Sequence, residues 1–108
     1  MDVKTLAEKL DLKILCGENL ERPVEGCYCG DLLSWVMSRA QENDVWLTVM
    51  GNINSIGVAV LADVSCIVLT ENAALDADAL ARAQQNGVII LQTEKNSYQM
   101  AAAISRLI

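Results

Sequence analysis

The 108-residue chain contains no histidine and a single proline, Pro23. Without imidazole it lacks the side chain that most often moves protons near neutral pH and most often ligates metals. It also lacks any apolar run approaching the ~20 residues that span a bilayer. The longest, Ile56 to Ala62, is ended by Asp63, so no membrane insertion is expected. Basic residues never cluster: eight Lys and Arg are scattered singly from Lys4 to Arg106 against fourteen acids, giving a net charge of −6. Nucleic acid is excluded as a partner on this reading, because such binding draws on a Lys/Arg patch that neutralises phosphates. Neither phosphate-cradling fingerprint, Gly-x-x-x-x-Gly-Lys-Ser/Thr or Gly-x-Gly-x-x-Gly, occurs. The opening residues, Met1 to Glu8, carry early acids at helical spacing instead of a basic start and an apolar centre. That does not suit a secretory signal, and a cytoplasmic location is the expectation.

What remains is 53% hydrophobic and 20% charged, too apolar for disorder. At this length the chain is expected to form one domain, residues 1–108, with one core. Apolar spacing from Val3 onward predicts a first helix to Leu10, and Lys13 to Cys16 and Val24 to Tyr28 read as strands. Leu32, Leu33, Val36, Met37 and Ala40 share one face of a second helix, with Asp31 placed to cap it. Val45 to Val49 reads as a central strand buried on both faces. The next segment is expected to be an almost wholly buried helix from Asn54 or Ser55, its N-cap, to Asp63. Cys66 to Leu69 is a strand, Asp76 caps a helix that stops at Asn86-Gly87, Val88 to Leu91 is the last strand, and Asn96 or Ser97 caps a terminal helix. This alternation predicts a three-layer α/β/α fold with a parallel or mostly parallel sheet of four to five strands.

The most site-like segment runs from Thr48 through Gly51, Asn52, Asn54 and Ser55, a strand end turning through glycine into a helix. Ligands of open α/β sheets collect outside the carboxyl ends of the strands, and helix N-termini offer free N–H groups. Those five residues and Asp31 are the candidate ligand contacts; for each alone, the plainer role is a turn or cap. No catalytic residue and no metal ligand is assigned. Cys27 and Cys29 raise a second possibility, a redox or metal-linked accessory protein. Their Cys-x-Cys spacing differs from the paired Cys-x-x-Cys knuckles of zinc sites, while Cys16 and Cys66 lie in predicted strands as small apolar residues. Asp31 and Glu25 would raise a thiol pKa there. Trp46 is expected to pack in the core. Trp35, toward the flank of its helix, sits where interface aromatics often lie, and the stripe from Ile53 to Leu61 is expected to be core first and the surface of a homodimer or partner contact second.

The runs Val24-Glu25-Gly26-Cys27-Tyr28-Cys29-Gly30-Asp31-Leu32-Leu33-Ser34, Leu47-Thr48-Val49-Met50-Gly51-Asn52-Ile53-Asn54-Ser55-Ile56 and Ala62-Asp63-Val64-Ser65-Cys66-Ile67-Val68-Leu69-Thr70 resemble the DRTGG-type domain. That family is similar to the N-terminal domain of HPr serine kinase/phosphorylase and also occurs beside paired CBS modules and ahead of phosphotransacetylase. The resemblance implies a non-catalytic regulatory or sensor domain, here binding a small molecule or a partner protein. It places the family's signature Asp-Arg-Thr-Gly-Gly on Asn52-Ile53-Asn54-Ser55-Ile56, where both charged residues and both glycines are replaced. The kinase's phosphate-binding loop belongs to its other domain, and no kinase activity is expected of these residues.

Overall fold

A computed structural model describes residues 1–108 and resolves the apolar runs into ten elements. In chain order these are α1 (Val3–Leu10), β1 (Lys13–Cys16), β2 (Gly26–Cys29), α2 (Leu33–Arg39), β3 (Asp44–Thr48), α3 (Ile53–Ala62), β4 (Cys66–Leu69), α4 (Ala77–Asn86), β5 (Ile90–Gln92) and α5 (Ser97–Ser105). The sheet order is β1-β5-β4-β3-β2. Strands β2 to β5 are parallel, and β1 closes the far edge antiparallel to β5. The fold is α/β with a five-stranded mixed sheet, as the helix–strand alternation predicts.

Every residue of β3 and β4 is buried, as expected for parallel strands covered on both faces. Successive side chains point to opposite faces. Val45, Leu47, Cys66, Val68 and Leu91 therefore join residues of α1 and α5 in one core, while Trp46, Ile67, Leu69 and Ile90 join residues of α2, α3 and α4 in the other. Because β2 to β5 are laid down in one direction across the sheet, strand order never reverses among them. The crevice that such a reversal opens in doubly wound sheets is absent.

Helix ends follow local chemistry. Asp11, Asp63 and Gly87 stop α1, α3 and α4 in the left-handed region. Aspartate reaches that region at some cost, and at Asp63 one guanidinium nitrogen of Arg22 braces the turn, donating to the backbone O and to Oδ1, each at 2.7 Å.

Three expectations need correction. Asp31 does not cap α2; the capping position is Leu32, which makes no side-chain cap bond. The apolar residues of α2 are not jointly buried either. Only Val36 is fully so, whereas Leu32 and Met37 are exposed, because this two-turn helix leans on α3 beside the edge strand and has protein on one side only. Finally, α3 begins two to three residues earlier than read, at Asn52, whose Oδ1 accepts from the N–H groups of Asn54 and Ser55. Nor is α3 almost wholly buried: Gly57, Val60 and Leu61 face outward. A mid-helix glycine costs about 0.5–1 kcal/mol relative to alanine. At Gly57 no atom stands within 4 Å of where a Cβ would be, so nothing inside the chain requires it.

Candidate functional site

The carboxyl ends of all four parallel strands lie along one edge of the sheet, and the loops leaving them form its rim. The loop after β2 is tied to β3 at three points: Gly30 N–H donates to Leu47 O, the Trp46 indole donates to Gly30 O at 2.9 Å, and Asp31 reaches across to β3. Asp31 Oδ1 accepts from Thr48 Oγ1 at 2.7 Å and from the Val49 N–H at 2.9 Å. Thr48 Oγ1 in turn accepts from the Met50 N–H. The structure thus joins Asp31 and Thr48, two of the candidate residues, in one network and gives Asp31 a positioning role in place of the capping role.

The remaining candidates have different fates. Ser55 is buried and donates to Met50 O, and Asn52 is the cap of α3. Gly51 lies against the segment after β4. A Cβ there would stand 2.1 Å from Ala74 O, and Asp76 N–H donates to Gly51 O. The glycine is demanded by this close approach, not by its own backbone angles. Thr48, Gly51 and Ser55 shape the rim from within, while Asp31 and Asn54 are exposed on it. No buried side-chain nitrogen or oxygen is left without a partner.

Sequence reasoning missed the largest hollow, about 520 Å³, on the other half of the same edge. It lies between the start of β1 and the loops after β4 and β5, with Asp11, Lys13, Asn72, Gln92, Thr93 and Lys95 among its lining residues. Glu71 and Asn72 hold consecutive left-handed conformations there, and their N–H groups donate to Lys95 O and Thr93 O. Asn72, three residues past the end of β4, was the one available signal of this turn. The lysines come from opposite ends of the chain, and only the β1–β5 pairing brings them together.

Cys27 and Cys29 align with Val45 and Leu47, on the α1/α5 face of the edge strand, and both are exposed as whole residues. Protein crowding around the Cys27 sulfur still pushes its thiol up to about 12, desolvation acting first, followed by the neighbouring Cys29 thiol and the Asp44 carboxylate. Asp44, rather than Asp31 or Glu25, is thus the acid that bears on it. Burial likewise raises Cys66, to about 12, and Cys16, whose thiol donates to Val88 O. Thiols held protonated are poor nucleophiles and poor metal ligands. Nowhere do three His, Cys, Asp or Glu side chains gather as a metal site would need.

The α/β/α layering with this loop edge defines a class, and comparison with known families supplies it. The DRTGG domain model matches residues 5–107, so the chain belongs to the DRTGG domain family. Among solved structures, it is similar to the CBS and DRTGG domains of the regulatory region of Clostridium perfringens pyrophosphatase, solved in complex with an activator, diadenosine tetraphosphate. The TM-score is 0.76 at 12% identity, covering 94% of this chain and 45% of that one. The present chain therefore spans under half of that structure, and at such identity the likeness establishes the fold. No curated protein matches. No helix is long and apolar enough to cross a membrane.

Proposed function

We propose that this chain is a non-catalytic regulatory module, residues 1–108 forming a single cytoplasmic domain that acts as a homodimer and binds a small molecule at the carboxyl edge of its sheet. The observation that carries this reading is the DRTGG fold over nearly the whole chain, shared with a regulatory region captured with its activator. Support also comes from the Cys27, Cys66 and Cys16 thiols, which burial holds in their protonated, poorly nucleophilic form.

Two ligand positions on that edge have separate chemical supports. Where the loop after β2 meets the start of α3, Asp31 has a second carboxylate oxygen and Asn54 an exposed amide, which suit a neutral or cationic molecule bearing hydroxyl or amino groups. A second reading is favoured by the 520 Å³ hollow, a volume typical of small-molecule sites, whose lining combines the Lys13 and Lys95 ammonium groups with the Asp11 and Glu94 carboxylates and so suits a polar molecule bearing groups of both signs.

Thermal unfolding of the chain with dinucleoside polyphosphates, mononucleotides and uncharged metabolites tests both. Ligand at 100 times its Kd is expected to stabilise by about 2.7 kcal/mol. Loss of that gain in Asp31→Asn/Asn54→Ala selects the loop, and loss in Lys13→Ala/Lys95→Ala selects the hollow. A gain indifferent to both pairs removes the edge assignment, and no gain from any compound removes the small-molecule reading. Asn52 is unsuitable for this purpose, because its loss weakens α3 directly.

A further inference from the structure

We propose that the outer face of α2 and α3 is the surface through which two copies of this chain pair; this rests on the homodimeric reading above. Leu32 is 59% exposed, Trp35 52% and Leu61 73%, and Met37 and Val60 are also exposed. These five large apolar side chains lie on or at the start of two helices that pack side by side on the same face of the sheet. The opposite layer differs: within α1 and α5 the one large exposed apolar side chain is Tyr98, with Met1 and Ile108 exposed beyond the helix ends. Large apolar side chains exposed in such number on one layer point to an interaction surface.

Two features commit the occupant to a second copy. The first is charge. The chain carries −6, yet no charged residue occurs between Val45 and Ala62, and α2 contributes only Arg39. Two identical acidic molecules meet there with the least repulsion. Arg39 lies flat over Trp35, its guanidinium carbon 3.7 Å from the ring centre. Asp31 and Arg39 stand four positions before and after Trp35. A twofold axis through Trp35, running two α2 helices antiparallel, therefore brings each Asp31 level with Arg39 of the other copy. Such a patch is complementary to itself, as an isologous dimer requires.

The second feature is Gly57. It weakens α3 and serves no contact inside the chain. Beside it is a hollow of about 210 Å³, lined by Ile56, Val60, Leu61, Arg82 and Asn86. Absence of a side chain there lets a neighbouring surface approach the helix backbone closely and leaves room for one of its side chains.

Sedimentation velocity of the full chain over a concentration series tests the pairing. Wild type is expected to dimerise, and Trp35→Asp and Leu61→Asp to raise the dissociation constant at least about 30-fold. Tyr98→Asp, on the opposite layer, is expected to leave it unchanged. Gly57→Ala should raise the thermal midpoint of dilute monomer while weakening the dimer, a split that a purely structural glycine would not produce. Circular dichroism verifies the fold of each variant, and Trp35→Ala serves if the aspartate does not fold. A dimer whose dissociation constant ignores Leu61→Asp and the Trp35 variants overturns this face and leaves the homodimer standing. Wild type that is monomeric at every concentration, including one that binds only a foreign protein, overturns both.

Discussion

The two helical layers bury cores of equal size and present unequal outer surfaces. Thirteen buried residues lie between the sheet and α1 and α5, and thirteen between the sheet and α2, α3 and α4. That symmetry follows from strand geometry: alternate side chains of β3, β4 and β5 go to alternate faces, so each face receives a similar apolar share. Nothing in the fold imposes the same balance outside. The outer side of α5 carries Gln99, Ser105 and the lone Tyr98, whereas the outer side of α2 and α3 carries Leu32, Trp35, Val60 and Leu61. Inward apolarity reports the fold, and outward apolarity reports what the fold is for.

The largest test of that symmetry is truncation of one core residue on each face. Trp46→Ala removes a fully buried side chain and its indole bond to Gly30 O, and is expected to cost about 3–5 kcal/mol. Met100→Ala on the other face is expected to cost about 2–5 kcal/mol. Urea unfolding measures both; a nearly neutral result for either would mean that one layer is only loosely packed.

Alkaline unfolding sharpens the comparison, because Cys66 belongs to the α1/α5 core. Desolvation raises its folded pKa from 9.0 to about 12, so between those values the folded state keeps a proton that the unfolded state has lost. The associated stability is fully present below pH 9 and drains away as pH approaches 12. Cys66→Ala is expected to flatten the fall in unfolding free energy over that window relative to wild type. Equal slopes would show that the thiol does not control it.

The two glycines on the α3 side are expected to respond with opposite signs. Gly51→Ala drives a methyl into the Ala74 carbonyl and the Leu75 backbone and should destabilise by about 1–3 kcal/mol or more. Gly57→Ala meets nothing and should stabilise dilute monomer by about 0.4–1 kcal/mol. Chemical denaturation at low concentration reads both, and a destabilising Gly57→Ala would mean that α3 itself needs the glycine.

Much of the architecture was legible because its signals are local. β-branched runs marked β3 and β4, Asn86-Gly87 marked the end of α4, and Asn96 the start of α5. The antiparallel edge strand β1 was legible as a strand but not in its pairing, since its partner β5 lies at the other end of the chain. The candidate site was less legible for a related reason. Asp31, three residues before Ser34 and just ahead of an apolar run, looks like a cap, and only the β2–β3 pairing shows that Thr48 and the Val49 N–H compete for its carboxylate. Likewise Lys13, Asn72 and Lys95 converge through strand order alone, which no local pattern encodes.

The smallest expected contrast lies in the helix caps of the two layers. Asn52 holds the Asn54 and Ser55 N–H groups of α3 by itself, in a loop closed over by the segment after β4. Asn96 shares its work: its Oδ1 accepts from the Gln99 N–H, while Gln99 Oε1 accepts from the Asn96 N–H. After Asn96→Ala the reciprocal bond from the backbone survives, so this change is expected to cost toward the lower end of the usual ~0.5–2 kcal/mol for a lost cap, and Asn52→Ala toward the upper end. Asn52→Asp, which keeps the accepting oxygen, should recover most of the loss in urea unfolding. If the two alanine variants were equally destabilised, or if aspartate failed to rescue Asn52, the sealed loop would not be drawing its order from the cap, and Gly51 packing against Ala74 would remain as the interaction that fixes the start of α3.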